Sequence, residues 1–297
     1  MMKTSQLTTE FPFESHFMEV DGVKIHYVDE GSGDPVVFLH GIPTWSYLWR
    51  NIIPTVATQC RCIAPDFVGM GLSDKPDIDY TVFDQIRFMT KFLDKLNLKK
   101  ATLVMHGWGS VIGFHYAMQH PERMKALAFY EAHIRPVKKW DELSLPIQQF
   151  LSLIRDDEHG RQEIIENNYL VETLLPTGLI RPLAEEELRH YRRPFPTPES
   201  RKPLWQYIRD FPKGNGQPED VVALIREYSD QLKESQLPKL MFYAVPGFMT
   251  TIDDVSWAKN NLPHLELIDL GEAALHLVPE SFPLLFANEF MEWYQRL

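Results

Sequence analysis

The sequence predicts an α/β protein: a mostly parallel eight-stranded sheet with helices on both faces and a helical insertion after the sixth strand. Three observations carry this. Short apolar runs alternate with helix-period stretches over most of the chain. Between residues 135 and 217 that rhythm breaks, and helical patterns and prolines replace any convincing strand. The 297 residues are 44% hydrophobic and 24% charged, a mix that supplies a large core and excludes disordered, collagen-like and coiled-coil chains.

The elements follow in order. Phe17–Val20 and Val23–Val28 flank Asp21-Gly22, a dipeptide that tolerates positive φ and so predicts a hairpin. Pro35–Leu39 is an apolar run that ends in His40-Gly41, and Cys62–Ala64 is a shorter one before Pro65-Asp66. Val82, Ile86, Met89, Leu93 and Leu96 step by three and four, which predicts an amphipathic helix. Thr102–Met105 reads as a buried strand, Trp108–Gln119 as a helix and Ala126–Tyr130 as the next strand. Lys239–Ala244 and Leu265–Leu270 are the last two strands, and a helix over Phe282–Tyr294 closes the chain. The main domain is then residues 1–134 and 218–297, with a helical cap at 135–217.

Composition also bounds the partners. The chain has 30 basic and 41 acidic residues, a net charge of −11, which argues against nucleic acid. No run of 18 apolar residues predicts a membrane span, and the N-terminal segment lacks the apolar stretch of a signal peptide. Cys60 and Cys62 read as reduced thiols in or near a core strand, which fits a cytoplasmic location. Neither a phosphate-cradling glycine loop nor a zinc-ligand spacing is present, so no cofactor is expected.

Four places could carry chemistry. Met105-His106-Gly107-Trp108-Gly109-Ser110 joins a buried strand to a helix through glycines, a turn that can project one residue from a strained position. His40-Gly41-Ile42-Pro43-Thr44 follows an early strand, where a loop can give one backbone N–H to an oxyanion hole. Glu131 follows the strand ending at Tyr130, and His276 lies between the last strand and the last helix. The order turn, acid, histidine is that of a hydrolase triad. Asp253 is the alternative acid. His106 reads as a packing residue or a partner of the backbone, Arg189, His190, Arg192 and Arg193 as a solvated cap face, and Glu185-Glu186-Glu187 as a helix surface.

These motifs resemble the haloalkane dehalogenases, α/β-hydrolases, and in particular the Rhodococcus-type subgroup with its acid after the sixth strand; Renilla-type luciferase is a cousin. The resemblance covers nearly the whole chain. It rests on Phe11-Pro12-Phe13, His40-Gly41 with Pro43-Thr44, Ser46–Arg50, Pro65-Asp66, Gly69-Met70-Gly71 and Ser73–Pro76. It continues through Trp108-Gly109-Ser110, Tyr130-Glu131, Leu175-Pro176, Arg181-Pro182-Leu183, Pro203-Leu204-Trp205 and Pro246-Gly247. In that family an aspartate at the turn displaces halide and forms an alkyl ester, which a histidine-activated water hydrolyses. A tryptophan N–H and an asparagine amide hold the leaving halide.

By position, Trp108, Glu131 and His276 are retained. Gly107 stands at the nucleophile position and Ile42 at the halide-binding asparagine. The segment Gly271–Leu277 is one residue longer than the family pattern, and Val278-Pro279-Glu280-Ser281 lacks its acidic pair. The resemblance implies a substrate pocket of Leu151, Leu170, Leu174, Phe211, Phe248, Met249 and Leu277, although an apolar side chain taken singly is more often core. The expected partner is a small apolar molecule, with room for an anionic group or a halide where the carboxylate is missing. Three readings remain: a diverged enzyme using the His276–Glu131 pair, a non-catalytic binding protein, or a dehalogenase whose nucleophile was replaced.

Overall fold

The computed structural model describes residues 7–154, 156–244, 247–271 and 275–297. Pro246 and Glu272–Ala274, singled out above, lie outside the described residues. Asp21 and Gly22 take φ of 50° and 79°, the paired positive values that match the twist of a two-residue hairpin. They join β1 (His16–Val20) to β2 (Val23–Gly31). The other strands are β3 (Pro35–Leu39), β4 (Arg61–Pro65), β5 (Ala101–His106), β6 (Met124–Tyr130), β7 (Lys239–Tyr243) and β8 (Leu265–Asp269). All eight form one sheet in the order β1-β2-β4-β3-β5-β6-β7-β8. Its first two pairings are antiparallel and the rest parallel. This is the α/β-hydrolase fold.

The main helices of the sheet layers are α1 (Val82–Leu96) and α2 (Gly109–Gln119). Between β6 and β7 the described residues form helices, turns and loops, including α3 (Leu145–Leu153), α4 (Glu185–Arg192) and α5 (Lys202–Asp210). Then come α6 (Glu219–Glu234), α7 (Ile252–Asn261) and α8 (Pro283–Tyr294). No helix among the described residues is long and apolar enough to cross a membrane.

Side chains alternate across a strand, so parallel register sorts the sheet into two faces. Leu39, Met105 and Phe129 share one row, and Phe129 meets Phe114 of α2 edge-on at 5.1 Å. On the opposite face Tyr130 pairs with Phe242, which stacks on Phe286 of α8 at 4.3 Å. Helices therefore cover both faces.

The end of β5 and the start of α2 meet at the sheet's carboxyl edge, and α5 lies across it. Asp210, the last residue of α5, accepts the Val82 N–H at the start of α1 at 2.7 Å. Gln206 donates to the same carboxylate at 2.7 Å.

A buried ion cluster ties α4 to the segments that follow β3 and β8. Glu187, expected on a helix surface, is 2% exposed. Of the three consecutive glutamates it alone turns inward, to Arg50 at 2.7 Å and Arg181 at 2.7 Å. Glu280, on the short helix after His276, accepts from Arg50, Arg181 and Tyr191. The helical period of α4 sets the inward face; Arg50, 137 residues earlier, supplies the charge that makes burial tolerable.

Candidate active site

β5 runs straight into the turn at Gly107, whose φ is +51°. Ser110 holds it from the first turn of α2: its hydroxyl donates to the Gly107 carbonyl at 2.6 Å and its backbone N–H to the same oxygen at 3.0 Å. A Cβ on residue 107 would stand 3.5 Å from Gly41 Cα and 4.0 Å from His276 Nε2. These are ordinary contacts, so a side chain fits here and would face the imidazole. Residue 107 is thus the tip of the turn, and it carries no side chain.

The loop after β3 runs beside it. His40 is buried, and burial pushes its pKa down, so the ring is neutral. Its Nδ1–H donates to the Gly41 carbonyl at 2.8 Å and its Nε2 accepts the Phe67 N–H at 3.0 Å. Both ring nitrogens are thereby spent on holding the loop. Among the described residues, the backbone N–H groups of Ile42 and Trp108 have no acceptor. These are the two positions from which an oxyanion hole is built.

Glu131 follows β6, fully buried, with φ of 50°. Its carboxylate accepts the N–H groups of Met249 and Thr250 at 2.6 and 3.1 Å, and Nδ1–H of His276 at 3.0 Å. A Cβ on Gly247 would come within 2.7 Å of that carboxylate, which explains a glycine in this loop. With Nδ1 committed to Glu131, Nε2 of His276 keeps the lone pair and faces the tip at Gly107. Asp253, the alternative acid, is exposed at the start of α7 and does not contact His276. His106 donates from Nε2 to the His276 carbonyl at 2.8 Å, and burial holds its ring neutral. It positions the histidine's backbone.

A small cavity of ≈30 Å³ adjoins His276, room for one or two waters. Five of the expected pocket residues, Leu174, Phe211, Phe248, Met249 and Leu277, line it together with Ile42. Leu151 and Leu170 are buried but do not line it. Ile147 and Phe150 take the wall positions on the helix that carries Leu151, and Leu174, one turn beyond Leu170, takes that side. Sequence reasoning also passed over Leu175 and Tyr207, both on the wall. Tyr207 follows Pro203-Leu204-Trp205 on an amphipathic helix, and that adjacency was the available signal.

Trp108 is 3% exposed and meets His133 and Tyr207 edge-on, at 5.2 and 5.1 Å. Phe211 meets those same two rings at 5.5 and 5.8 Å. The four rings close a cycle of edge-to-face contacts beside the turn, which fixes the indole. No group of three His, Cys, Asp or Glu side chains among the described residues could hold a metal ion.

The family model for the alpha/beta hydrolase fold matches residues 34–265. A haloalkane dehalogenase from Mesorhizobium japonicum is 41% identical over 254 residues, 84% of this chain and 82% of that protein. The chain belongs to the haloalkane dehalogenase family. A haloalkane dehalogenase from Agrobacterium fabrum is 37% identical over 93% of this chain and 90% of its own. Among solved structures, a putative ancestral haloalkane dehalogenase superposes with a TM-score of 0.90 at 38% identity, covering 95% of this chain and 98% of its own. The haloalkane dehalogenase DatA from Agrobacterium tumefaciens C58 gives 0.90 at 35% identity, with 97% and 98% covered. Within this family fold, the acid and the histidine form a hydrogen-bonded pair, and the tip between strand and helix is bare.

Proposed function

We propose that this chain is a diverged, cofactor-free hydrolase of the haloalkane dehalogenase family that acts on a small apolar substrate without a covalent aspartyl step. The supporting observation is the geometry at residue 107: a Cβ there would lie 4.0 Å from His276 Nε2, yet the residue is glycine. Among the described residues the cavity wall offers no substitute, having neither carboxylate, thiol nor aliphatic hydroxyl. The Ile42 side chain in turn offers a halide only hydrocarbon, where an asparagine would add an amide donor. What remains is a general-base pair. His276 Nε2 can take a proton from water while Glu131 stabilises the imidazolium that forms. General-base catalysis contributes about 10²–10⁴-fold, enough for lactones, activated esters or epoxides but not for unactivated alkyl chlorides.

The test is halide release from 1,2-dibromoethane and 1-iodohexane. The purified protein should release no more than its His276→Ala variant, and brisk release overturns the proposal. Gly107→Asp, alone and with Ile42→Asn, locates the divergence. Restoration by the single change marks a dehalogenase that has lost only its nucleophile; restoration by the pair alone marks a site that has diverged at both positions. A ligand that binds but is never turned over, with or without His276, marks a binding protein instead.

A further inference from the structure

Among the described residues that line the cavity beside His276, only His276 and Tyr207 carry a polar side-chain group. Tyr207 is held from both sides, by Trp108 at 5.1 Å and Phe211 at 5.8 Å. Its helix is anchored to α1 through Asp210. The phenol itself donates to nothing among the described residues, whereas other tyrosines on cap and main domain, Tyr191 and Tyr228, spend theirs on Glu280 and the His133 carbonyl. Burial pushes the Tyr207 phenol up, so it stays protonated across the physiological range. The cavity is only ≈30 Å³, so a substrate must displace its aromatic wall and take up a position against both polar residues.

We infer that Tyr207 is the general acid opposite His276, and that the substrate class is a short apolar ester or lactone. This rests on the general-base reading above and deepens it. Such a substrate uses each free group once. Water adds its oxygen to the carbonyl carbon and passes a proton to His276 Nε2. The carbonyl electron pair collects on the oxygen facing the free N–H groups of Ile42 and Trp108. When the adduct collapses, the bond from the carbonyl carbon to the leaving oxygen breaks, and that oxygen takes the Tyr207 proton. The proton on His276 returns to the phenolate, directly or through water. The balance is ester plus water to acid plus alcohol. A bare alkyl halide would present no oxygen to Tyr207 and no carbonyl to the two N–H groups.

The experiment compares wild type with Tyr207→Phe on ethyl, phenyl and 4-nitrophenyl butanoate, whose leaving oxygens fall in basicity in that order. Loss of a general acid should lower kcat/KM by about 100-fold on the ethyl ester and by less than about tenfold on the nitrophenyl ester. A loss that is flat across the series, or absent, overturns the inference. A second measurement holds even if no ester is turned over, an outcome that would count against the general-base reading rather than against Tyr207. In a His276→Ala background, binding of ε-caprolactone and of methylcyclohexane is titrated by ligand-observed NMR. Tyr207→Phe should weaken the lactone by about five- to tenfold and leave the hydrocarbon unchanged. Equal effects on the two ligands, or none, overturn the assignment of Tyr207.

Discussion

Two sets of polar groups in the molecule are built on opposite plans. Glu280 follows His276 by four residues, yet in its cluster nothing is left over. Each of the four carboxylate oxygens of Glu187 and Glu280 accepts two hydrogen bonds. Arg50 spends every nitrogen, including its Nε on the Thr8 carbonyl at 2.9 Å. Around His276 the reverse holds. Nδ1 is committed to Glu131, but among the described residues Nε2, the Tyr207 hydroxyl and the backbone N–H groups of Ile42 and Trp108 have no hydrogen-bond partner. A satisfied cluster fixes one geometry and has no capacity to bind anything more. An unsatisfied one carries a desolvation cost that a substrate can relieve. The difference separates charges that are fully paired from polar groups that keep capacity to bind.

The contrast is tested most severely at Arg50. Arg50→Met leaves two buried carboxylates facing each other with only Arg181 between them. Urea denaturation should show a loss of about 3–5 kcal/mol. A loss below about 1 kcal/mol would mean the cluster is not the closed unit described.

A second effect should come from Asp210, the anchor of the helix that carries Tyr207. Burial raises its pKa to about 6. Between roughly pH 4 and 6 the folded chain keeps a proton that the unfolded chain has released. Stability therefore falls as pH rises through that window, by up to about 3 kcal/mol. Asp210→Asn should lack that slope, so its melting temperature should gain on wild type from pH 4 to pH 7. Parallel profiles would show that Asp210 titrates normally.

The smallest effect is expected at the bare tip. Gly107→Ala places a Cβ at φ +51°, with its nearest neighbour at 3.5 Å. The cost should be the backbone strain alone, about 1–2 kcal/mol in urea denaturation. A much larger loss would mean that the tip is crowded and that the site could not have held a side chain.

Much of this site was legible in the order of its residues along the chain. Glu131 and His276 stand after their strands in hydrolase order, and the fold joins them at 3.0 Å. Gly107 stands where the strand-to-helix motif put the tip. Glu187 and Tyr207 were not legible, for a shared reason. Each lies on a short helix whose period shows only which positions share a face. Whether that face meets water, a charge or a cavity depends on residues far away in the chain.

Local sequence was enough to dictate the strands, the helix over Val82–Leu96 and the order of the chemical residues, because apolar periodicity and turn chemistry act over a few neighbours. Tertiary packing alone settled that Leu151 and Leu170 lie off the cavity while Tyr207 lies on it. Packing also settled that one glutamate of three is buried and that His276 keeps a free nitrogen. Those outcomes depend on contacts such as Arg50 with Glu280, 230 residues apart, and a short stretch of chain does not encode which distant partner arrives.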